Sequence, residues 1–224
     1  MPKVVAIIQA RLGSSRFPRK VLANLDGKPV LQHVIERAKR VLGVDAVVVA
    51  SPHEDAPAFI ECADKTNVTL CGPSGIDAAD VIGRFAVVAA ETTADVVVRV
   101  TADCPLFDPD VAALVLRRFR DEGADFATND VRESGYPDGL DVEVFTRALL
   151  ERANREAVTP FDREHVTAIM PRLTGVRVVL VKKPGATGAS SEKFSIDTPE
   201  DLARVDAELQ RRQAPVKPVR VGKR

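Results

Sequence analysis

Apolar residues in this chain fall in short continuous runs separated by stretches of helical spacing. The runs are Val4 to Ile8, Val44 to Ala50, Val68 to Cys71 and Ala94 to Val100. Each is short and rich in β-branched residues, which predicts strands buried on both faces. Between the first two, Val30, Leu31, Val34, Ile35, Ala38, Val41 and Leu42 recur on one helical face. Pro29 suits that helix's first turn and Gly43 its stop. Ala56 to Lys65 reads as a helix with Phe59, Ile60 and Ala63 inward, and Ala79 to Glu91 reads as another. After Gly123 the rhythm changes. Asp125 to Thr128, Leu140 to Phe145 and Val176 to Val181 are strand-like, and the second alternates apolar with acidic residues, giving it one polar face. Thr146 to Ala157 and Asp162 to Met170 read as helices, each opening on a good N-cap type. Thr198-Pro199-Glu200-Asp201 opens a last helix to about Gln210.

Strand alternating with helix predicts an α/β protein: a three-layer, mostly parallel sheet with a small β extension. The expected organisation is one domain over 1–212, with 124–182 as an extension within it and 213–224 as a basic, extended tail. Composition narrows the class. The chain has 224 residues, 45% hydrophobic and 29% charged, with formal net charge +0. That argues against a broad nucleic-acid-binding face. The three cysteines, Cys62, Cys71 and Cys104, show no CxxC spacing, so a disulfide framework is not expected and a reducing cytoplasm is the simplest compartment. No apolar run approaches about 18 residues, so no membrane span is expected. The short run after Met1-Pro2-Lys3 lacks the form of a signal peptide.

Candidate chemistry begins where the first strand ends. Gln9-Ala10-Arg11-Leu12-Gly13-Ser14-Ser15-Arg16-Phe17-Pro18-Arg19-Lys20 joins small residues to four cations. Small residues let backbone N–H groups approach an anion, and strand ends of open α/β sheets are where ligands bind. The loop is neither GxxxxGK[ST] nor GxGxxG, so a P-loop ATPase and a dinucleotide-binding dehydrogenase are poorly supported. A second candidate is Asp103, three residues past the last valine of the fourth strand; a turn cap is the plainer reading of it alone. Asp197, just before the last helix, is a third, with a dipole-favoured surface acid as the plainer reading. Together two such carboxylates suit Mg²⁺, which takes one or two carboxylates plus phosphate oxygens and water. Cys104 reads as a packing residue and His165 as a structural hydrogen-bonder, with ligand contact the alternative. Tyr136, Asp138, Asp141 and Glu143 form a polar set suited to sugar hydroxyls, or equally an exposed strand edge or subunit contact.

The loop, Asp80-Val81-Ile82-Gly83-Arg84-Phe85, Thr101-Ala102-Asp103-Cys104-Pro105-Leu106, Tyr136-Pro137-Asp138-Gly139-Leu140-Asp141-Val142-Glu143, Asp162-Arg163-Glu164-His165-Val166-Thr167 and Ile196-Asp197-Thr198-Pro199-Glu200-Asp201-Leu202 follow one another in order. Together they resemble the sugar cytidylyltransferases, which include the acylneuraminate and 3-deoxy-manno-octulosonate enzymes, and most of all the spore coat polysaccharide biosynthesis protein F branch. The likeness covers about residues 3 to 210. It implies a glycosyltransferase-A-like nucleotidyltransferase fold that transfers CMP from CTP to a sugar or sugar acid for surface glycans, releasing pyrophosphate. A relative using another nucleotide or acceptor, a glycosyltransferase sharing the fold, and an inactive nucleotide-binding module are the alternatives. Arg11 and Lys20 match the family's triphosphate-binding cations, with Ala10, Leu12, Gly13 and Ser14 lining the nucleotide. Asp103 and Asp197 match its Mg²⁺-binding aspartates, and Arg84 lies in a segment suited to nucleotide contact. The catalytic set is then Lys20, Arg11 and Asp103, and a homodimer built through the segment after Gly123 is implied. The family usually has glycine where this chain has Arg19.

Overall fold

The expected alternation builds one continuous sheet. The protein is described here by a computed structural model covering residues 1–213. Its elements are β1 (Val4–Gln9), β2 (Asn24–Leu25), β3 (Lys28–Pro29), α1 (Val30–Ala38), β4 (Ala46–Ala50), α2 (Ile60–Thr66) and β5 (Thr69–Cys71). Then come α3 (Val81–Glu91), β6 (Val96–Thr101), α4 (Pro109–Asp121), β7 (Phe126–Thr128) and α5 (Val131–Ser134). The chain continues with β8 (Glu143–Thr146), α6 (Arg147–Glu156), α7 (Pro160–Glu164), β9 (Val178–Leu180) and α8 (Pro199–Gln213).

The main sheet has seven strands in the order β5-β4-β1-β6-β8-β7-β9, and β8 alone runs against the rest. Strands from the segment after Gly123 therefore extend the same sheet. From β1 the chain winds outward through β4 to β5, then returns to place β6 on the other side of β1. The crevice between β1 and β6 is thus the topological switch point, where open α/β sheets bind ligands.

Alternate residues of β1 face opposite layers. Val4, Ala6 and Ile8 pack with Leu31, Val34 and Ile35 of α1 and with Val115, Leu116 and Phe119 of α4. Val5 and Ile7 pack with Ile82, Phe85 and Val88 of α3 and Leu150 of α6. The five apolar residues of β1, Val4 to Ile8, are fully buried, each such side chain being worth about 1.5–3 kcal/mol when large and apolar. A third cluster joins Leu25 and Val30 to Leu106, Leu140, Phe194 and Ile196, with Val205 and Leu209 of α8.

Several expectations need correction. Ile60 is exposed while Phe59 and Ala63 are buried, because a 3₁₀ turn over Ala56–Phe59 precedes α2 and rotates its face. The first helix stops at Ala38, leaving Leu42 exposed. The helix expected over Asp162 to Met170 ends at Glu164, since Val166 adopts a left-handed conformation (φ 42). Strand β8 begins at Glu143 and lies between β6 and β7, so its acidic face is no sheet edge. Helix α4 is an element the apolar pattern left out. Its signals were local: Asp108 caps the N–H groups of Asp110 and Val111, and Pro109 takes the first position. The final helix runs on to Gln213, and the tail expected beyond it lies outside the described residues.

Candidate active site

Arg11 to Lys20 leave the C-terminal end of β1, and Asp103 follows β6 at the neighbouring strand end. Register pairs Gln9 with Thr101. Gln9, Arg11, Gly13, Ser14, Ser15, Arg16, Lys20, Thr101, Asp103 and Asp197 wall one cavity of about 360 Å³. A Cβ built on Gly13 would meet nothing within 4 Å, so its backbone faces open space. Ser14 Oγ accepts from the Phe17 N–H at 3.4 Å, which folds the loop back toward Lys20. Two expected backbone donors are already engaged. The Ala10 N–H donates to the Ala50 carbonyl at 3.0 Å and the Leu12 N–H to Asp55 Oδ2 at 2.7 Å.

Lys20 opens a one-turn 3₁₀ segment, and Arg19 before it takes φ 58, ψ 22. Glycine, the residue the resemblance leads one to expect here, would lack the Cβ that makes this left-handed conformation costly. Arg19 keeps its side chain exposed and leaves Lys20 directed inward. Lys20 Nζ donates to Asp103 Oδ2 at 2.6 Å and to Asp197 Oδ1 at 3.0 Å. Burial opposes its charge, but the two carboxylates outweigh that and raise its pKa above the ordinary lysine value. Asp197 also meets Arg16 at 2.9 Å and Lys193 at 2.9 Å. Burial pushes its carboxyl pKa up, and Lys193 and Lys20 more than reverse that, leaving it lowered.

Residues 193–197 bring Asp197 to Asp103. Asp138 and Lys193 form an isolated parallel bridge, and the Ile196 N–H donates to the Asp103 carbonyl at 2.9 Å. Gly139 (φ 92) makes the approach possible: a Cβ there would lie 2.6 Å from Phe194 C and Ser195 N. Asp201 then accepts from the Asp197 and Thr198 N–H groups and binds Lys193 at 2.8 Å.

Two carboxylates thus converge on one cationic atom, which is the donor chemistry Mg²⁺ accepts beside phosphate and water. Among the described residues no cluster of three or more His, Cys, Asp or Glu side chains is arranged to hold a metal. A divalent ion here would hold only Asp103 and Asp197 from the protein and take its other ligands from substrate and solvent.

The other predicted residues separate. Arg84 lies outside the cavity wall, only 1% exposed on α3. Its Nη2 donates to the Ala78 carbonyl at 3.3 Å, while Nε and Nη1 have no partner. Each unsatisfied donor costs about 1–3 kcal/mol, and more when charged. Tyr136 is buried, Asp138 Oδ2 accepts from Ser195 Oγ at 2.9 Å, and Asp141 Oδ2 accepts from the Gly139 N–H at 3.1 Å. Asp138 and Asp141 support the turn beneath residues 193–196. Glu143 instead lines a second cavity, of about 530 Å³, with Arg99, Asp130, Arg132, His165, Thr167 and Arg172 among its walls. Arg99 pairs with Glu143 and also donates to Gln9 Oε1 at 3.0 Å, so one guanidinium belongs to the wall between the cavities. His165 packs against Phe161 with the rings tilted by 48° and their centroids 4.4 Å apart.

A family model described as cytidylyltransferase matches residues 5–217. The chain belongs to the cytidylyltransferase family. Similar proteins include a 3-deoxy-manno-octulosonate cytidylyltransferase of Anaeromyxobacter sp. (strain Fw109-5), 30% identical over 93% of this chain and 98% of that one. An uncharacterized protein of Methanocaldococcus jannaschii is also 30% identical, over 93% of this chain and 84% of its own length. A cytidylyltransferase structure from Leptospira borgpetersenii serovar Hardjo-bovis superposes with a TM-score of 0.86 at 28% identity, covering 94% of this chain and 88% of that chain. A CMP:2-keto-3-deoxy-manno-octonic acid synthetase complexed with CTP shares the fold, with a TM-score of 0.73 at 22% identity over 94% of this chain and 99% of that one.

For this cytidylyltransferase, sequence reasoning passed over Arg99, Glu164, Thr167 and Lys193. Arg99 carried a signal: it is a lone charge inside the valine run of β6. Thr167 Oγ1 donates to Glu143 Oε1 at 2.6 Å, and Glu164 holds Arg11 at 2.9 Å. Those contacts assign structural work to the Asp162–Thr167 segment, as does Arg163 reaching Asp80 at 2.6 Å. Lys193 carried no signal: it shares a loop with Asp197, and only the fold of that loop sets its Nζ between Asp197 and Asp201.

Proposed function

We propose that this cytidylyltransferase transfers CMP from CTP to a hydroxyl of a sugar or sugar acid, with Mg²⁺, for surface glycan synthesis. The observation that carries the reading is the meeting of Lys20, Asp103 and Asp197 in a cavity ringed by Arg11 and Arg16. In the reaction the acceptor oxygen bonds to the α-phosphorus, the bond to the β-phosphate oxygen breaks, and pyrophosphate leaves with that electron pair. The acceptor proton passes to solvent. Position and charge stabilisation carry most of such a transfer. Lys20 and Arg11 serve the charge on the departing pyrophosphate. Arg84, expected to contact the nucleotide, lies outside the cavity wall with two unpartnered buried nitrogens, so no step is assigned to it. Mg²⁺, held by Asp103 and Asp197, would supply charge neutralisation at the phosphoryl oxygens.

The second cavity is the acceptor site in this reading, with Glu143 the member of the predicted sugar set that lines it. The likeness to the spore coat branch rests on the sequence segments alone. A homodimer is part of the same reading, supported by exposed Val158, Phe161 and Val178 in the segment after Gly123. A cytoplasmic location is part of the same reading; no helix among the described residues is long and apolar enough to cross a membrane.

The test is a panel of nucleoside triphosphates with Mg²⁺ and candidate sugars, read by pyrophosphate release. CTP is expected to be preferred, and Asp103→Asn to abolish release while the circular dichroism spectrum is kept. Wild-type turnover by Asp103→Asn would remove the metal role, and failure to release pyrophosphate from any of the triphosphates would overturn the function.

A further inference from the structure

Asp103 and Asp197 do not stand apart from the loop they face. Lys20 Nζ lies 2.6 Å from Asp103 Oδ2 and 3.0 Å from Asp197 Oδ1. Its side chain is 13% exposed, and those of the acids 26% and 23%, so the contacts are shielded beyond those of a surface ion pair. Among the described residues Lys20 is the one cationic partner of Asp103, whereas Asp197 also has Arg16 and Lys193. A magnesium ion sits about 2.1 Å from its oxygens. An ion bridging these two carboxylates needs the ground that the ammonium holds, and the two cations would repel one another at that range.

We infer that Lys20 is a cationic plug in its own metal site: it fills the gap between Asp103 and Asp197 until a nucleotide triphosphate draws it away, so that the divalent ion enters with the nucleotide. This rests on the nucleotidyl-transfer reading above. Lysine suits the task. Its charge ends a flexible four-carbon stem, so Nζ can exchange carboxylate for phosphate without backbone movement. The plug also keeps two facing carboxylates neutralised while no ion is bound, which limits their mutual repulsion.

The test is Mn²⁺ binding, followed by electron paramagnetic resonance of the free ion, with and without CTP. Wild type is expected to bind Mn²⁺ weakly alone and at least about tenfold more tightly with CTP. Lys20→Met is expected to gain at least about tenfold in Mn²⁺ affinity without nucleotide. Lys20→Arg, which keeps the charge, is expected to stay near wild type. Adding Asp103→Asn to Lys20→Met is expected to erase the gain, which ties the ion to this site. Thermal melts check that each variant folds, and Lys20→Gln replaces the methionine variant if that one does not. If CTP recruits Mn²⁺ to wild type but neither uncharged variant gains affinity, the plug is overturned and the transfer reading stands. If wild type binds no Mn²⁺ with or without CTP, both fall. Wild type holding Mn²⁺ as tightly without CTP as with it also overturns the plug.

Discussion

Arg19 and Asp141 carry strain of different kinds. Arg19 holds φ 58, a conformation that costs a residue with a Cβ about 1–2 kcal/mol. Glycine there would remove that cost but add freedom to the unfolded chain. Arg19→Gly is therefore expected to raise stability by about 0.5–1 kcal/mol, seen as a higher urea midpoint with an unchanged slope. Asp141 is pushed up to about 6, chiefly by burial, with Asp138 and Glu143 adding repulsion and the Gly139 N–H opposing. An unfolded aspartate titrates near 3.9, so the native state binds the extra proton between those values. Stability from this group is full below about 4, falls as pH rises to about 6, and stays flat above. Asp141→Asn is expected to flatten that decline and to be more stable than wild type at pH 8. Urea melts at pH 4, 5, 6 and 8 check it; an unchanged slope between 4 and 6 would remove this account.

At the scale of elements, the site depends on segments with little regular structure of their own. The loop after β1 supplies Lys20, the turn after β6 supplies Asp103, and residues 193–197 supply Asp197. The last segment is held by backbone bonds to Asp138 and Asp103 and by Asp201 at the start of α8. Its closest approach is over Gly139, where a Cβ would collide with backbone. Backbone cannot rotate away as a side-chain tip does, and φ 92 disfavours alanine in any case. Gly139→Ala is expected to cost about 2 kcal/mol or more and to lower pyrophosphate release at least about tenfold by displacing Asp197. Thermal melts together with turnover at a temperature where the variant stays folded separate the two effects.

At the scale of the molecule, ties between distant segments close the site. Asp80 caps α3 through the Gly83 N–H and pairs with Arg163 of α7, while Arg11 reaches Glu164 and Glu143 reaches Thr167. The loop after β1, the helix before the second cavity and the internal strand β8 are thus fixed to one another around the β1/β6 crevice. What the sequence determined by itself was the local physics: valine-rich runs make buried strands, their alternation with helices makes a mostly parallel sheet, and a cation-rich loop on a strand end invites an anion. Lys20, Asp103 and Asp197 stood out as candidates by their place at a strand or helix end, but only the family resemblance gave them their expected roles. Only the tertiary structure decided which of them touch. Lys193 and Arg99 acquire meaning from partners 4 to 90 positions away in the chain, and no periodicity encodes such pairs. The split of the polar set, with Glu143 on the second cavity, Asp138 and Asp141 beneath residues 193–196 and Tyr136 buried, has the same cause. Side-chain alternation assigns a face, but the packing of one segment over another decides whether that face meets a cavity or backbone.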